Sequence, residues 1–388
     1  MTSPKTNKNN PHLDFYLEHG ISPVRQDVSD IHRHLERRGA LYRRIGAPKI
    51  MIERKRVIEV GPGSGHNSLY TASCMPASYD LLEPNPSGQR DIMSLYETYE
   101  IPHTKPTLIP MRLEEFSTDE PYDIAITEAW IGTPEYEHVL LAKLAKMLRP
   151  GGILIMTFTS PIGMFVNTLR RILGNTLIAN ESSLDGQTNI LLDAFGSHVD
   201  TLEDMSRYRI DWVQDNLINP AFLTACITPS KIIESIGEGF SVYECCPKFH
   251  EDWRWYKTLH SKNILFNEAF LKDYTEKCHV LMDVRVMQHS RRDAQVNLDL
   301  EKDCFALMML VKEYEDAGTP LEQKSVLELT RRISANIADS APMMVDAIQE
   351  FEDFFISDKF TPEMLSEMKA TKHLFGRELS YISIIRDA

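Results

Sequence analysis

The sequence predicts an α/β protein, a doubly wound and mainly parallel sheet that carries a helical insert and is followed by a helical C-terminal domain. Three observations lead there. Between residues 55 and 160, short runs rich in β-branched residues alternate with longer stretches of helical period, the pattern of βαβ units. A glycine-rich junction at 61–65 directly follows the first of those runs. From about 162 to 229 the alternation is lost, and beyond about 259 the apolar spacing is helical.

Size and composition bound the rest. A chain of 388 residues has room for two domains, and 43% hydrophobic with 25% charged residues is ordinary for a packed core, which excludes collagen-like and wholly disordered readings. With 42 Lys plus Arg against 56 Asp plus Glu, the net charge of −14 repels phosphodiester backbones, so no nucleic-acid partner is expected. Six cysteines without a C-x-x-C pair suit a reducing cytoplasm, and no metal site is expected. Residues 1–12 read as a polar, disordered tail without the apolar core of a signal peptide, and a cytoplasmic protein is expected. The charge-free run 151–169 approaches the length of a membrane span, but Gly151, Gly152, Pro161 and its threonines point to a strand, a turn and a new helix, so no stable membrane insertion is expected.

Taken in chain order, an amphipathic helix over 28–44 is expected to cover the sheet or the mouth of a ligand site. Strands are predicted at 56–60, 79–83, 107–111, 122–127 and 153–158. Val139, Leu140 and Leu144 recur at helical spacing within 135–148, and Pro150-Gly151-Gly152 is read as the break and turn into the fifth strand. Met164, Phe165, Leu169, Ile172, Leu173 and Leu177 lie near one face of a helix that also carries Arg170 and Arg171, a stripe read as core or lid packing rather than membrane contact. Gly237-Glu238-Gly239 turns into a sixth strand at 240–245, and Gly318-Thr319-Pro320 separates later helices. The expected division is a tail to 12, an α/β domain at 13–161, an insert or lid at 162–229 containing Asp211, Trp212 and Asn216, the remainder of the α/β domain at 230–258, and a helical domain at 259–388 that could carry a homodimer seam.

The junction itself reads Glu59-Val60-Gly61-Pro62-Gly63-Ser64-Gly65-His66. Glycines at alternate positions let backbone approach a ligand closely while the next helix offers free N–H groups, which suits a nucleotide-like occupant. Glu83, closing the second strand, stands where an open α/β sheet holds the hydroxyls of a ribose. A dinucleotide fingerprint would need glycine where His66 stands, and no Gly-Lys-Ser/Thr comes after it for a P-loop.

Here the sequence resembles the class I S-adenosylmethionine-dependent methyltransferases, whose first motif is acid-x-Gly-x-Gly-x-Gly. Glu59, Gly61, Gly63 and Gly65 match it position for position, over a resemblance spanning roughly residues 55–160. It implies a Rossmann-like methyltransferase fold and S-adenosyl-L-methionine as cofactor, with the loop on its methionine part, Glu59 at its amino group, Glu83 at the ribose, and Arg112 or Leu113 near the adenine. Residues 122–128 resemble the family's fourth-strand motif and 148–154 its turn into the fifth strand.

A methyl on a sulfonium is already reactive, so positioning and desolvation matter most, and a base is needed only where the acceptor must lose a proton early. Glu128 and His66 are the candidates for that role, Glu128 weighed against a structural hydrogen bond and His66 against a simple helix-start contact. Trp130 and Tyr136 are substrate-binding candidates, with His138 read as a surface residue of the next helix. Thr127-Glu128-Ala129-Trp130 lacks the Asn/Asp-Pro-Pro-aromatic segment of family members that methylate nucleobase amines. The expected acceptor is therefore an oxygen or nitrogen of a small-molecule or glycan-like biosynthetic intermediate. Rival readings are a protein or lipid-linked acceptor, and a catalytically silent cofactor-binding scaffold. The run Phe249-His250-Glu251-Asp252-Trp253-Arg254-Trp255-Tyr256 could form a stacking wall, though core packing is the preferred reading, and the adjacency of His250, Glu251 and Asp252 does not suit a metal.

Overall fold

The computed structural model describes residues 11–259, 264–287, 290–357 and 359–387. Its first half runs α1 (Pro11–His19), α2 (Ile31–Arg44), α3 (Lys49–Ile52), β1 (Arg56–Val60), α4 (Ser68–Ser73), β2 (Ser78–Leu82), α5 (Pro86–Thr98), β3 (Thr107–Ile109), β4 (Tyr122–Thr127), α6 (Glu135–Lys146) and β5 (Leu148–Phe158). Then come α7 (Pro161–Ile178), α8 (Leu184–Val199), α9 (Arg209–Val213), α10 (Pro229–Ile236), β6 (Phe240–Cys246), α11 (Phe266–Lys277), α12 (Ala294–Ala317), α13 (Gln323–Ile337), α14 (Pro342–Ser357), α15 (Pro362–Ser366) and β7 (Ser380–Arg386).

The described residues form two compact units, one of those within 11–158, 224–271 and 379–387, the other of those within 159–223 and 272–378. In the first, seven strands form one sheet in the order β3-β2-β1-β4-β5-β7-β6. β1 pairs in parallel with β2 on one side and β4 on the other, so strand order reverses between β1 and β4. In open α/β sheets that switch point opens a crevice at the carboxyl ends of the strands. β7 runs antiparallel to both β5 and β6, which leaves β6 pointing the same way as β5 and ending on the crevice edge. Val57, Ile58, Leu81, Ile126 and Ile155 are fully buried, as strands covered on both faces require.

The second unit is built on α7. Ser160 caps it by accepting from Gly163 N–H at 3.1 Å, Pro161 opens its first turn, and fifteen of its residues are buried, Arg170 and Arg171 among them. Burial of two cations is tolerated because every arm is answered. Arg170 donates to the carbonyls of Thr371 and Leu374 and lies over the Phe375 ring, while Arg171 binds Glu315 and the carbonyls of Asn216 and Asn219. The apolar stripe of this helix is core, in keeping with its spacing.

Several expectations are redrawn. Pro11 and His12, placed in the tail, belong to α1, whereas 1–10 fall outside the described residues. The insert and most of the C-terminal helices form a single unit, and within it Asp211, Trp212 and Asn216 are buried rather than displayed as a lid. The segment 259–388 is not wholly helical: its SYISIIR stretch is β7, the strand that joins β6 to the sheet. Pro150-Gly151-Gly152 is not a turn between elements but lies inside β5, where the β4 pairing slips between Tyr122 and Ile124 and Gly151 takes a φ of 74°.

Replacing Arg171 with Met strands the Glu315 carboxylate, and should destabilise the protein by about 3–5 kcal/mol. Chemical denaturation of Arg171→Met beside the double change Arg171→Met/Glu315→Met checks this, the double variant recovering most of the loss.

Candidate functional site

The turns that leave β1 and β4 wall the crevice at the switch point. After Val60 the chain turns through Gly61, Gly63 and Gly65, all with left-handed φ of 70°, 59° and 80°. Side chains at these positions would be strained by φ alone and would also collide. A Cβ on Gly61 would meet Trp130 at 2.7 Å, and one on Gly63 would meet Val24 at 2.5 Å. The loop thus needs glycine for its own packing as well as for close approach of a ligand, so a bulky change at Gly63 disturbs the fold and binding together.

Glu83 lies just past β2 and is 4% exposed. Its two oxygens accept from Gly63 N–H and Asn85 N–H, each at 2.8 Å, which ties the glycine loop to the end of β2. Glu59, penultimate in β1 and equally buried, accepts from the Tyr79 hydroxyl. Burial pushes both carboxyls up to about 7, and for Glu59 the nearby Glu128 carboxylate adds to the rise.

Glu128 leaves β4 at the same edge. Its oxygens take Arg38 Nη2 at 2.5 Å, the Tyr381 hydroxyl at 3.0 Å and Asn67 Nδ2 at 3.3 Å. The next residue, Ala129, is held at a φ of 65° with its N–H donated to Thr157 Oγ1 at 2.7 Å, a strained corner that turns Trp130 back toward β1. Trp130 Nε1 donates to the Val60 carbonyl at 3.0 Å, so the indole lies against the glycine loop. Past it, Glu137 is buried in the first turn of α6, accepting from Gly132 N–H at 2.6 Å and from Tyr136 Oη at 2.9 Å, and burial pushes its carboxyl up to about 7. Tyr136, a substrate-binding candidate, is thereby committed to a neighbour, and His138 Nε2 lies 2.9 Å from the Gly132 carbonyl.

The N-terminal segment crosses this edge. Asn85 Nδ2 and Ser87 Oγ donate to the carbonyls of Ile21 and Gly20 at 2.8 and 2.9 Å, setting Ser22 and Val24 over Gly63. Asp14 of α1 lies 3.9 Å from Arg112, whose buried Nη1 has no hydrogen-bond partner among the described residues, and Leu113 beside it is buried. On α2, His34, Arg38 and Tyr42 form the buried face. Arg37 donates to His34 Nδ1 at 3.1 Å, so Nε2 carries the proton and donates to the His66 carbonyl at 3.0 Å. Burial holds His34 down at about 4. The His66 ring rests its Nδ1 2.9 Å from Ser64 Oγ.

The structure therefore brings Glu59, Gly61, Gly63, Gly65, His66, Glu83, Glu128 and Trp130 to one crevice edge. Sequence reading misses Arg38, Asn67 and Tyr381. A signal for Arg38 is present, since polar residues at 34, 38 and 42 share one face of an otherwise amphipathic helix. Among the described residues, no group of three or more His, Cys, Asp or Glu could hold a metal, and no helix is long and apolar enough to cross a membrane.

Fold and crevice together make a Rossmann-like α/β domain with an open switch point. Many solved chains match a segment of it, S-adenosylmethionine-dependent methyltransferases among them. The N-methyltransferase NodS from Bradyrhizobium japonicum WM9, in complex with S-adenosyl-L-homocysteine, is 16% identical over 32% of this chain and 61% of its own, with a TM-score of 0.27. The CcbJ methyltransferase from Streptomyces caelestis is 12% identical over 32% and 51%, at 0.27, and an arsenic(III) S-adenosylmethionine methyltransferase from Chlamydomonas reinhardtii is 19% identical over 27% and 39%, at 0.24. The chain thus spans less than two thirds of each of these proteins, and scores so low leave function to be argued from the residues. No family model and no curated protein matches the sequence.

The raised carboxyls fix a pH response. A folded pKa above the unfolded value means the native state holds more protons, so Glu59, Glu83 and Glu137 contribute stability below about pH 4.5 that is lost as pH rises through about 7. His34 acts oppositely, its contribution being present above about 6.5 and lost as pH falls toward 4. Between pH 6.5 and 8 the carboxyls dominate, and denaturation midpoints should fall across that window, less steeply in Glu137→Gln.

Proposed function

We propose that this chain binds S-adenosylmethionine at the β1/β4 switch point and transfers its methyl group to an oxygen or nitrogen of a small-molecule or sugar-like acceptor. The observation that best supports the reading is the charge balance of the crevice. Glu59, Glu83 and Glu128 are buried or nearly so, and the guanidinium that answers them is Arg38, paired with Glu128. Carboxylates left without a cation in a low-dielectric edge favour a cationic ligand, and this cofactor carries an ammonium, a sulfonium and a ribose diol.

When bound, the cofactor supplies a methyl group on positive sulfur, which moves by in-line displacement. The chain's own residues position and dry the site. Glu59 would hold the amino group and the loop of Gly61, Gly63 and Gly65 would lie along the methionine part. Glu83 would take the ribose hydroxyls, since each of its oxygens accepts one N–H and keeps lone-pair capacity for another. Leu113 and the unsatisfied Nη1 of Arg112 would border the adenine. Glu128, saturated by Arg38, Tyr381 and Asn67, acts as a positioning residue that holds α2 and the glycine loop together, and His66 is left as the candidate to accept a proton where the acceptor must lose one. Trp130 would wall the reacting end.

Calorimetric titration with S-adenosylmethionine, S-adenosylhomocysteine and NAD in parallel tests the reading. Binding of the two sulfur compounds and not NAD is expected, with proton release near pH 7 as the cation lowers the Glu59 carboxyl. Glu83→Ala should weaken binding by about 1–3 kcal/mol. Silence from both sulfur compounds, or binding of NAD instead, overturns the assignment. Turnover to S-adenosylhomocysteine with an acceptor extract then separates a transferase from a cofactor-binding scaffold.

A further inference from the structure

Of the aromatic run after β6, Phe249 is core and the rest is not. Trp253, Trp255 and Tyr256 are 88%, 63% and 69% exposed, which is far more than aromatic residues ordinarily leave in water, and Ile264 and Leu265 are about half exposed. The five side chains belong to one patch. Arg254 donates Nη1 to the Ile264 carbonyl at 2.8 Å and lies 5.7 Å over the Phe266 ring, clasping 253–256 to 264–266. Below it, buried Phe249 packs on Phe158 with ring centroids 6.4 Å apart, anchoring the loop at the ends of β5 and β6. Those ends lie on the crevice edge, where Cys246 pairs with Tyr381 and Tyr381 in turn binds Glu128.

We propose that this patch is a docking surface for a lipid bilayer interface of no net charge, which would bring the crevice edge against the membrane. Tryptophan and tyrosine with an apolar body and a polar tip are the residues that settle at headgroup level, and Lys257, 5.3 and 5.7 Å from the Trp255 and Tyr256 ring centres, is placed to reach up into it. Within 249–258 Glu251 and Asp252 balance Arg254 and Lys257, and with Lys248 and Lys262 beside them in the sequence the stretch 248–266 carries only a small positive excess in a chain of net charge −14, so insertion would be driven chiefly by apolar burial and little by attraction to anionic lipid. A sugar platform fits less well, because the Asp252 carboxylate is already taken by Arg254 at 2.9 and 3.0 Å and because two aliphatic side chains share the patch. A second copy fits less well too. The chain repels its own kind, and roughly 600 Å² of such side chains falls short of the ~800 Å² that each partner of a stable protein interface contributes. The docking stands apart from the methyl-transfer reading.

Flotation of the full chain with phosphatidylcholine vesicles, read also by tryptophan fluorescence and without any cofactor, tests the proposal. Binding that is insensitive to salt is expected, with Trp253→Ala and Trp255→Ala each weakening it about tenfold. Both residues are exposed, so circular dichroism should be unchanged, and Ile50→Ala, exposed beyond the opposite edge of the sheet, should bind as the wild type does. No flotation at millimolar lipid overturns the proposal, and so does wild-type binding by both tryptophan variants. A dimer in sedimentation velocity that Trp253→Ala dissociates, without vesicle binding, would reassign the patch to self-association.

Discussion

The ion pair between Arg38 and Glu128 is the constraint around which the crevice is arranged. A carboxylate at the end of β4 cannot stay buried unanswered, and the guanidinium that answers it comes from a helix 90 residues earlier in the chain. The Tyr381 hydroxyl, 253 residues later, and Asn67 in the turn after β1 complete its shell. Such a pair adds little net stability over apolar packing, but leaving either partner alone costs several kcal/mol, so alternative placements of α2, the glycine loop or β7 are penalised together. The pair therefore specifies geometry more than it supplies energy.

The same logic runs outward. Glu83 clasps the glycine loop through Gly63 N–H, Asn85 clasps the N-terminal segment, and Ala129 accepts strain to press Trp130 against Val60. Each contact fixes backbone at the strand ends, and rigid strand ends are what the proposed methyl transfer, dominated by positioning, would require. Burial with no cation paired to them among the described residues pushes Glu59 and Glu83 up to about 7, which would make the charge of the proposed ligand part of the site's own balance.

How much of this is legible in the sequence depends on range. The strands β1 and β4 are legible to the residue, because buried parallel strands are short continuous apolar runs that need no partner to be recognised. The glycine loop and Glu83 are legible because their chemistry is local. What escapes is long-range. Tyr381 looks like the end of a helical region, although the alternation in SYISIIR carries a strand signal, and its bond to Glu128 has no trace in spacing. Likewise the run Phe249 to Tyr256 reads as packing because aromatic content alone cannot say which of its rings lie on the surface. Spacing places the apolar residues of α7 on a core stripe but not the burial of Arg170 and Arg171, because the carbonyls that make that burial tolerable come from segments that no periodicity connects.

The position of β7 also bears on how the molecule comes into being. It is the neighbour of both β5 and β6, and its partners lie far back along the chain, as with Glu244 and Ser383, 139 residues apart. During synthesis β5 must wait with an open, apolar edge and β6 with no neighbour at all until residues 380–386 leave the ribosome. An unpaired edge of that kind is a template for aggregation, and closing so long a loop is slow. The nascent chain should accordingly lean on chaperones until then, and losing β7 would expose the β5 edge and cut β6 from the sheet.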